Sequence, residues 1–372
     1  MTQYVWERPD WTHFSWRNED ILLALGECRL LQGKLLSKVA DVGFTLENQA
    51  YVEILTEETL KTALIEGENL NAQAVRSSVA RKLGLSSAGI KVDRYIDGLV
   101  SILLDATKNH EEPLTQKRLF GWQAALFPTG YSGIHKIKVG KWRGDKPMRV
   151  VSGPVGRENI HFEAPPSNRI PVEISRFLQW WKVSRSNVEG LLRAAIAHFW
   201  FVTIHPFEDG NGRIARALTD MALSQDDRQS MRYYSLSSQI MAERNTYYNI
   251  LEHCQKHDGD ITDWLSWFLG CFCRAIKNSE GMLAIVLDKA AFWKSHSEFS
   301  LTERQRKVIN RLLDVGMGNF TGGLTTKKYV SLAKVSRATA FREIDHLMKL
   351  GILKQNTGKG RNASYDLNWK EM

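Results

Sequence analysis

One twelve-residue segment constrains this chain more than any other: His205-Pro-Phe-Glu-Asp-Gly-Asn-Gly-Arg-Ile-Ala-Arg216. Before it runs VEGLLRAAIAHFWFVT, where Leu191, Ala194, Ala195, His198, Phe199 and Val202 recur at helical spacing and Asn187 stands as the N-cap. After it, RIARALTDMALSQ resumes a helix. The spacing therefore predicts an apolar helix, a glycine-flanked loop, and a second helix starting near Asn211 and Gly212. Backbone N–H groups at that start, unobstructed because Gly210 and Gly212 lack side chains, form an anion cradle.

The side chains around the cradle agree with that chemistry. Arg213 and Arg216 are three apart, neighbours on one helix face, and two guanidinium forks beside an anion hole suit a polyphosphate. Arginines in a first turn oppose the helix dipole unless an anion binds there. Asp209 offers a hard oxygen suited to Mg²⁺ bridging phosphates. His205, at the lip, can accept a proton near neutral pH. A base, a metal ligand and a phosphate clamp describe transfer of a phosphorus-centred group to a nucleophile.

At 372 residues the chain suggests two or three folding units, and with 43% hydrophobic and 24% charged residues it has the composition of a globular protein. No apolar run approaches the ~20 residues that span a bilayer, and MTQYVWERPDWTHFSW has no signal-peptide pattern. A cytoplasmic protein without membrane partners is expected. Its four cysteines, Cys28, Cys254, Cys271 and Cys273, then read as buried, reduced thiols.

The first hundred residues predict helices: Ile21, Leu22, Leu25, Cys28, Leu31 and Leu35 form one stripe, a second covers roughly 49–66, and AVRSSVARKLGL forms a third. Extended runs at Met148–Ser152 and Asn159–Glu163, separated by Gly153, Pro154 and Gly156, predict a hairpin lying as a flap over something. Another helix is expected near Val172, and two more around 238–255 and 261–277. A boundary falls near Ser295–Ser300, where Thr302 and Gln305 fit a capping box. Helix, helix-turn-helix and basic hairpin then follow in the order of a winged helix. Between Lys327 and Arg361 nine basic residues face only Glu343 and Asp345, although the whole chain is only +9. Such a patch suggests a polyanionic partner, and Arg337, Arg342, Lys359 and Arg361 are the candidate contacts to duplex DNA.

HPFEDGNGRIAR matches without departure the HPFx[DE]GNGRxxR motif, and through it the chain resembles the Fic (filamentation induced by cAMP)/DOC family. The hairpin, the helix before the motif, ERNTYYNILEHCQ after it, and the N-terminal WTHFSW and IEGENLNAQAVRSSVARKLGL carry the resemblance over nearly the whole chain. It implies a mainly α fold: a Fic-type helical bundle core (111–290) with a β-hairpin flap, an N-terminal helical extension (1–110) and a C-terminal winged helix (296–372). It implies a protein adenylyltransferase that moves AMP from ATP, with Mg²⁺, onto a Ser, Thr or Tyr hydroxyl of a target protein. His205 would be the base and Asp209 the metal ligand. Gly210, Asn211, Gly212, Arg213, Ile214, Ala215 and Arg216 would bind the nucleotide, Arg216 at the γ-phosphate. Tyr247 and Tyr248 would lie near the nucleoside. Val151, Ser152 and Gly153 of the flap would lie near the nucleotide, with strand 148–152 pairing an extended target segment. Thr62-Ala-Leu-Ile-Glu66-Gly67 resembles the family's [ST]xxxE[GN] inhibitory motif, so Glu66 would occupy the arginine fork. Removal of AMP at the same site, a DNA-binding regulator with a Fic sensor core, and a homodimer stay open as alternatives.

Overall fold

The computed structural model describes residues 4–40, 44–85, 92–152, 159–256, 258–316, 320–357 and 363–368. The expected Gly153, Lys359 and Arg361 lie outside them. The chain divides into two compact units, Met1–Lys38 with Tyr51–Ser279, and Val39–Ala50 with Glu280–Met372. Most of the residues expected as extension (1–110) and as core (111–290) share the first unit. The fold is mainly helical, and no helix among the described residues is long and apolar enough to cross a membrane.

The chain opens with a single 3-10 turn, Val5–Glu7, and helices α1 (Asn18–Ala40), α2 (Phe44–Ile65) and α3 (Ala72–Lys82). Helices α4 (Arg94–Lys108) and α5 (Gln116–Leu126) follow. The Asp93 carboxylate accepts from Tyr95 N and the Thr115 hydroxyl from Arg118 N, so both of these starts are capped by short polar side chains. A small hairpin not expected from the sequence, β1 (Tyr131–Ser132) with β2 (His135–Lys136), turns at Gly133, whose φ of 56° a glycine adopts without strain.

The flap is β3 (Arg149–Ser152) paired antiparallel with β4 (Asn159–Glu163). Arg149 faces Glu163 and Val150 faces Phe162, whereas Val151 faces Ile160, so His161 is an extra, bulged residue. Two strands alone are marginal, and this pair is braced by the N-terminal turn. Tyr4 sits edge-on to Phe162 at 5.3 Å, Trp6 packs with Val150 against the same small core, and Trp6 Nε1 donates to Glu163 O at 2.7 Å.

Helix α6 (Ile170–Ser184) carries Pro171 in its first turn, where a missing N–H costs nothing. Next come α7 (Gly190–Ile204) and α8 (Asn211–Asp227), packed along each other as the centre of the first unit. Nearly every residue of α7 is buried, which is why its sequence is apolar all round. The N-cap expected at Asn187 is instead Glu189, whose carboxylate accepts from Leu192 N at 2.9 Å and also binds Arg29 of α1. Trp11 and Phe14 from WTHFSW pack edge-to-face on Trp200 and Phe199 of α7. The helix expected at 238–255 is two, α9 (Leu236–Ala242) and α10 (Arg244–Gln255), and α11 (Thr262–Ser295) outruns its expected end at 277.

The reduced-thiol expectation is corrected for one pair. Cys28 of α1 and Cys273 of α11 form a disulfide with Cα atoms 5.2 Å apart, while Cys254 and Cys271 are free and buried. A separation of 245 residues gave no local sign of the pairing.

In the second unit α12 (Glu303–Leu313) starts at the expected capping box: Thr302 Oγ1 accepts from Gln305 N at 3.3 Å, and Gln305 Oε1 accepts from Thr302 N at 3.0 Å. Helices α13 (Thr326–Ala333) and α14 (Arg337–Lys349) and the antiparallel pair β5 (Leu353–Gln355) and β6 (Tyr365–Leu367) complete it. Leu324 bridges Tyr365 as a third extended segment. Val308, Ile309, Tyr329, Ile344, Leu347 and Ile352 fill its core.

Candidate active site

Helix α7 ends at His205, which takes a left-handed conformation (φ 49°, ψ 59°) that non-glycine residues rarely adopt. A residue the sequence reading missed secures it. Buried Arg143 donates from Nε to His205 O at 2.8 Å and from its amide to Pro206 O at 2.9 Å, and its guanidinium also binds Pro165 O. The loop closes on itself: Asn211 Oδ1 accepts from Phe207 N at 2.9 Å and Asn211 Nδ2 donates to Phe207 O at 2.8 Å. The Asn211 side chain, expected among the phosphate ligands, is thus committed to shaping the loop. Gly210 has a φ of 91°, and a Cβ there would fall 2.9 Å from Leu126 Cδ1.

The imidazole of His205 donates from Nδ1 to Val202 O at 3.2 Å, leaving Nε2 as the ring's acceptor. Burial holds its pKa below the usual histidine value; the Val202 bond, Glu66 and Asp209 pull the other way, and Arg143 adds to the lowering. The ring is neutral at pH 7, the form a base requires.

Both motif arginines are 2% exposed, and both are already engaged. Arg216 donates from Nε to Thr62 Oγ1 at 2.6 Å, and from Nη2 to Thr62 O at 2.9 Å and Glu66 Oε1 at 2.7 Å. Arg213 donates from Nη1 to Glu68 Oε1 at 2.9 Å and Tyr95 OH at 2.8 Å, and from Nη2 to Asp209 Oδ1 at 3.1 Å. Yet Arg213 Nε, Arg216 Nη1 and Glu68 Oε2 are buried with no hydrogen-bond partner among the described residues. Unpartnered buried donors at the start of a helix mark a place prepared for an anion.

The end of α2 explains how Glu66 arrives there. Gly67 N donates to Leu64 O at 2.9 Å and Glu68 N to Ala63 O at 3.1 Å, the paired bonds of a Schellman stop, with Gly67 at φ 84°. Arg244 Nε holds Ile65 O at 2.9 Å. Gly212 makes room: a Cβ there would lie 2.2 Å from Glu66 Oε1.

A cavity of about 370 Å³ opens beside these groups, lined among others by Glu66, Val151, His205, Gly212, Tyr247 and Tyr248. Glu66 stands in its wall, while Arg216 is shut away behind it. Tyr247 is buried, its hydroxyl 2.9 Å from His198 Nε2, and its ring meets Tyr248 edge-on at 5.0 Å. Ile214 and Ala215, expected near the nucleotide, are fully buried in α8 and do not line the cavity. Ser152 is placed by the flap register opposite Asn159. Val151, in the cavity wall, is 47% exposed and its cross-strand neighbour Ile160 45%, an apolar pair.

No group of three His, Cys, Asp or Glu side chains that could hold a metal occurs among the described residues. Asp209, with Oδ2 bound by Ser132 Oγ and Oδ1 by Gly210 N, offers one half-exposed carboxylate. That suits Mg²⁺, which binds through one or two carboxylates plus substrate phosphates.

Residues 113–223 match the Fic/DOC family, and residues 4–85 match a domain of unknown function, DUF4172. A protein adenylyltransferase Fic from Culex quinquefasciatus is 25% identical over 234 residues, covering 62% of this chain and 42% of that protein. One from Drosophila mojavensis is 31% identical over 103 residues, 27% of this chain and 19% of that protein. The chain thus spans less than half the length of these curated relatives. A Fic family protein from Desulfovibrio desulfuricans shares the fold with a TM-score of 0.54 at 17% identity, over 95% of this chain and 97% of that one. A Fic domain containing signaling protein from Bacteroides thetaiotaomicron does so with 0.53 at 19%, over 71% and 98%. The chain carries a Fic/DOC-family domain.

Proposed function

We propose that this Fic-domain protein transfers AMP from ATP to a hydroxyl side chain of a target protein, and that Glu66 holds the activity in check. The observation that carries the reading is the pair of buried, partly unpartnered guanidinium groups beside a neutral histidine at a helix start. Arg216 offers its fork to the γ-phosphate, Arg213 neutralises charge near the transferred group, and the amides after Gly210 face the phosphates. His205 Nε2 accepts the proton of the target hydroxyl as its oxygen attacks the α-phosphorus. The bond from that phosphorus to the bridging oxygen breaks, and pyrophosphate departs. Mg²⁺ arriving with the triphosphate would be held by Asp209 and would supply further charge neutralisation. Tyr247 and Tyr248 offer aromatic walls to the nucleoside, and the flap strand β3 offers its free edge to an extended target segment.

While Glu66 bonds Arg216, the γ-phosphate has no fork and the triphosphate cannot settle for in-line attack. The reverse reaction, hydrolytic removal of AMP from a modified protein, uses the same cradle, with Glu66 positioning water. Glu66 lines the cavity together with His205, which is the observation favouring this second reading. Intact-mass measurement of the full chain with ATP and Mg²⁺, following gain and loss of AMP in parallel, tests both. Absence of both gain and loss, in wild type and in Glu66→Gly, refutes the nucleotidyl-transfer reading.

We also propose that the second unit contacts duplex DNA through α14. Arg337 and Arg342 lie exposed on its outer face around Phe341, itself 63% exposed, an arrangement suited to phosphates and a thymine methyl.

A further inference from the structure

We propose that the region of unknown function, residues 4–85, delivers not one but two carboxylates to the nucleotide site, with Glu68 locking Arg213 as Glu66 locks Arg216. The inference rests on the nucleotide-site reading above and adds a second, separable lock to it.

Glu66 and Glu68 flank Gly67 in a single helix stop. The Schellman bonds fix the backbone on either side of that glycine, so the two carboxylates leave the same turn in a set geometry. They reach two arginines one helical turn apart, Arg216 at 2.7 Å and Arg213 at 2.9 Å. The spacing E-G-E on a turn thus answers the spacing R-x-x-R on a helix. The Glu68 side chain is 39% exposed, but one of its oxygens is not a surface group. Its Oε2 is buried and unpartnered, an arrangement that costs stability unless something else is served.

Tyr95 of α4 completes the lock. Its hydroxyl accepts from the same Arg213 Nη1 that binds Glu68, and burial with Glu68 beside it raises its pKa, so it remains a neutral phenol. Arg213 is therefore held by Glu68 from the α2 turn, by Tyr95 from α4 and by Asp209 from the loop, and Nε is the nitrogen without a partner among the described residues. An incoming phosphate that takes the Nη1 and Nη2 fork must displace Glu68.

The two locks differ in which phosphate they oppose. Glu66 opposes the group that reaches Arg216, present only in a triphosphate. Glu68 opposes the phosphate nearer the transferred group, present in ADP as well. Titration calorimetry of the full chain with ATP and with ADP, in wild type, Glu68→Gln, Glu66→Gly and the double variant, separates them. Glu68→Gln keeps shape and loses charge, and is expected to tighten ADP and ATP alike by about three- to tenfold, the span of a partly solvated ionic hydrogen bond. Glu66→Gly is expected to tighten ATP selectively, and the double variant to combine both gains. If Glu66→Gly improves ATP binding while Glu68→Gln and Glu68→Ala leave ADP and ATP binding unchanged or weaker, the second lock is refuted and the first stands. If no variant binds either nucleotide, the nucleotide-site reading is refuted, and this inference with it.

Discussion

Removing the Glu66 carboxylate should make the protein less stable and more active at once. In Glu66→Gly, Arg216 keeps its bonds to Thr62 Oγ1 and Thr62 O but loses the oxygen 2.7 Å from Nη2. Arg216 is only 2% exposed, so the charge stays buried without its counter-ion. Breaking one side of a buried pair costs about 3–5 kcal/mol, and the 29% exposure of the Glu66 side chain places this one near about 3. For a unit of this size that is a fall in Tm of roughly 6–12 °C. ATP then has something to repair, because its γ-phosphate can replace the lost carboxylate. At ~100 times Kd the nucleotide returns about 2.7 kcal/mol, most of the loss. A thermal-shift series should therefore show Glu66→Gly melting below wild type without nucleotide and responding far more strongly to ATP and Mg²⁺. In the same samples, self-modification read by intact mass should rise roughly ten- to a hundredfold, the equivalent of 1.5–3 kcal/mol for a charge-assisted bond absent on the way to transfer. A variant that melts with wild type, gains no ATP response and acquires no AMP would show that Glu66 is an ordinary helix-end carboxylate.

His205→Ala should lower transfer by ~10²–10⁴ while nucleotide binding measured by calorimetry stays within a few-fold, because the base acts only on the incoming hydroxyl. The fully buried His198, its pKa pushed down to about 3 chiefly by burial and then by Arg216, binds protons more readily unfolded than folded. Its contribution is thus present above pH ~6.5 and lost as pH falls, by about 1.4 kcal/mol per unit, so denaturant midpoints from pH 7 to 5 should fall more steeply in wild type than in His198→Gln. Fluorescence anisotropy of the full chain with duplex DNA should show binding that weakens steeply with salt and is reduced in an Arg337→Ala/Arg342→Ala variant; no binding at low salt would leave α14 as a solvated or protein-contacting face.

What the sequence made legible was what local spacing controls. The helix–loop–helix of 188–216, the arginines one turn apart, the hairpin strands and the Thr302–Gln305 box each depend on residues within a few positions of one another. The match at Thr62–Gly67 also pointed to Glu66, and the structure brings it to Arg216 across 150 positions. The unexpected partners were long-range. Arg143 on the His205 carbonyl, Tyr95 and Glu68 on Arg213, and Ser132 on Asp209 join segments whose own sequences carry no mark of the meeting. At Asn211 spacing does not tell what the side chain does: an amide can serve a ligand or its own loop, and here it bonds Phe207 N and O. The splitting of 238–255 into two helices at Glu243 had no breaker residue to announce it.

The missing Cβ of Gly212 couples two histories that would otherwise be free to diverge. The space it leaves admits Glu66 to Arg216, and on the proposed reading it is also the space a phosphate needs at the helix start. On that reading a larger residue at this position would evict inhibitor and substrate together, so enlarging Gly212 cannot release the activity from restraint. Variation that loosens control has to come from the other side, from the stop of α2 or from whatever draws that turn away. On the proposed reading the brake is inherited with the engine, and the stop of α2 is where it can be adjusted.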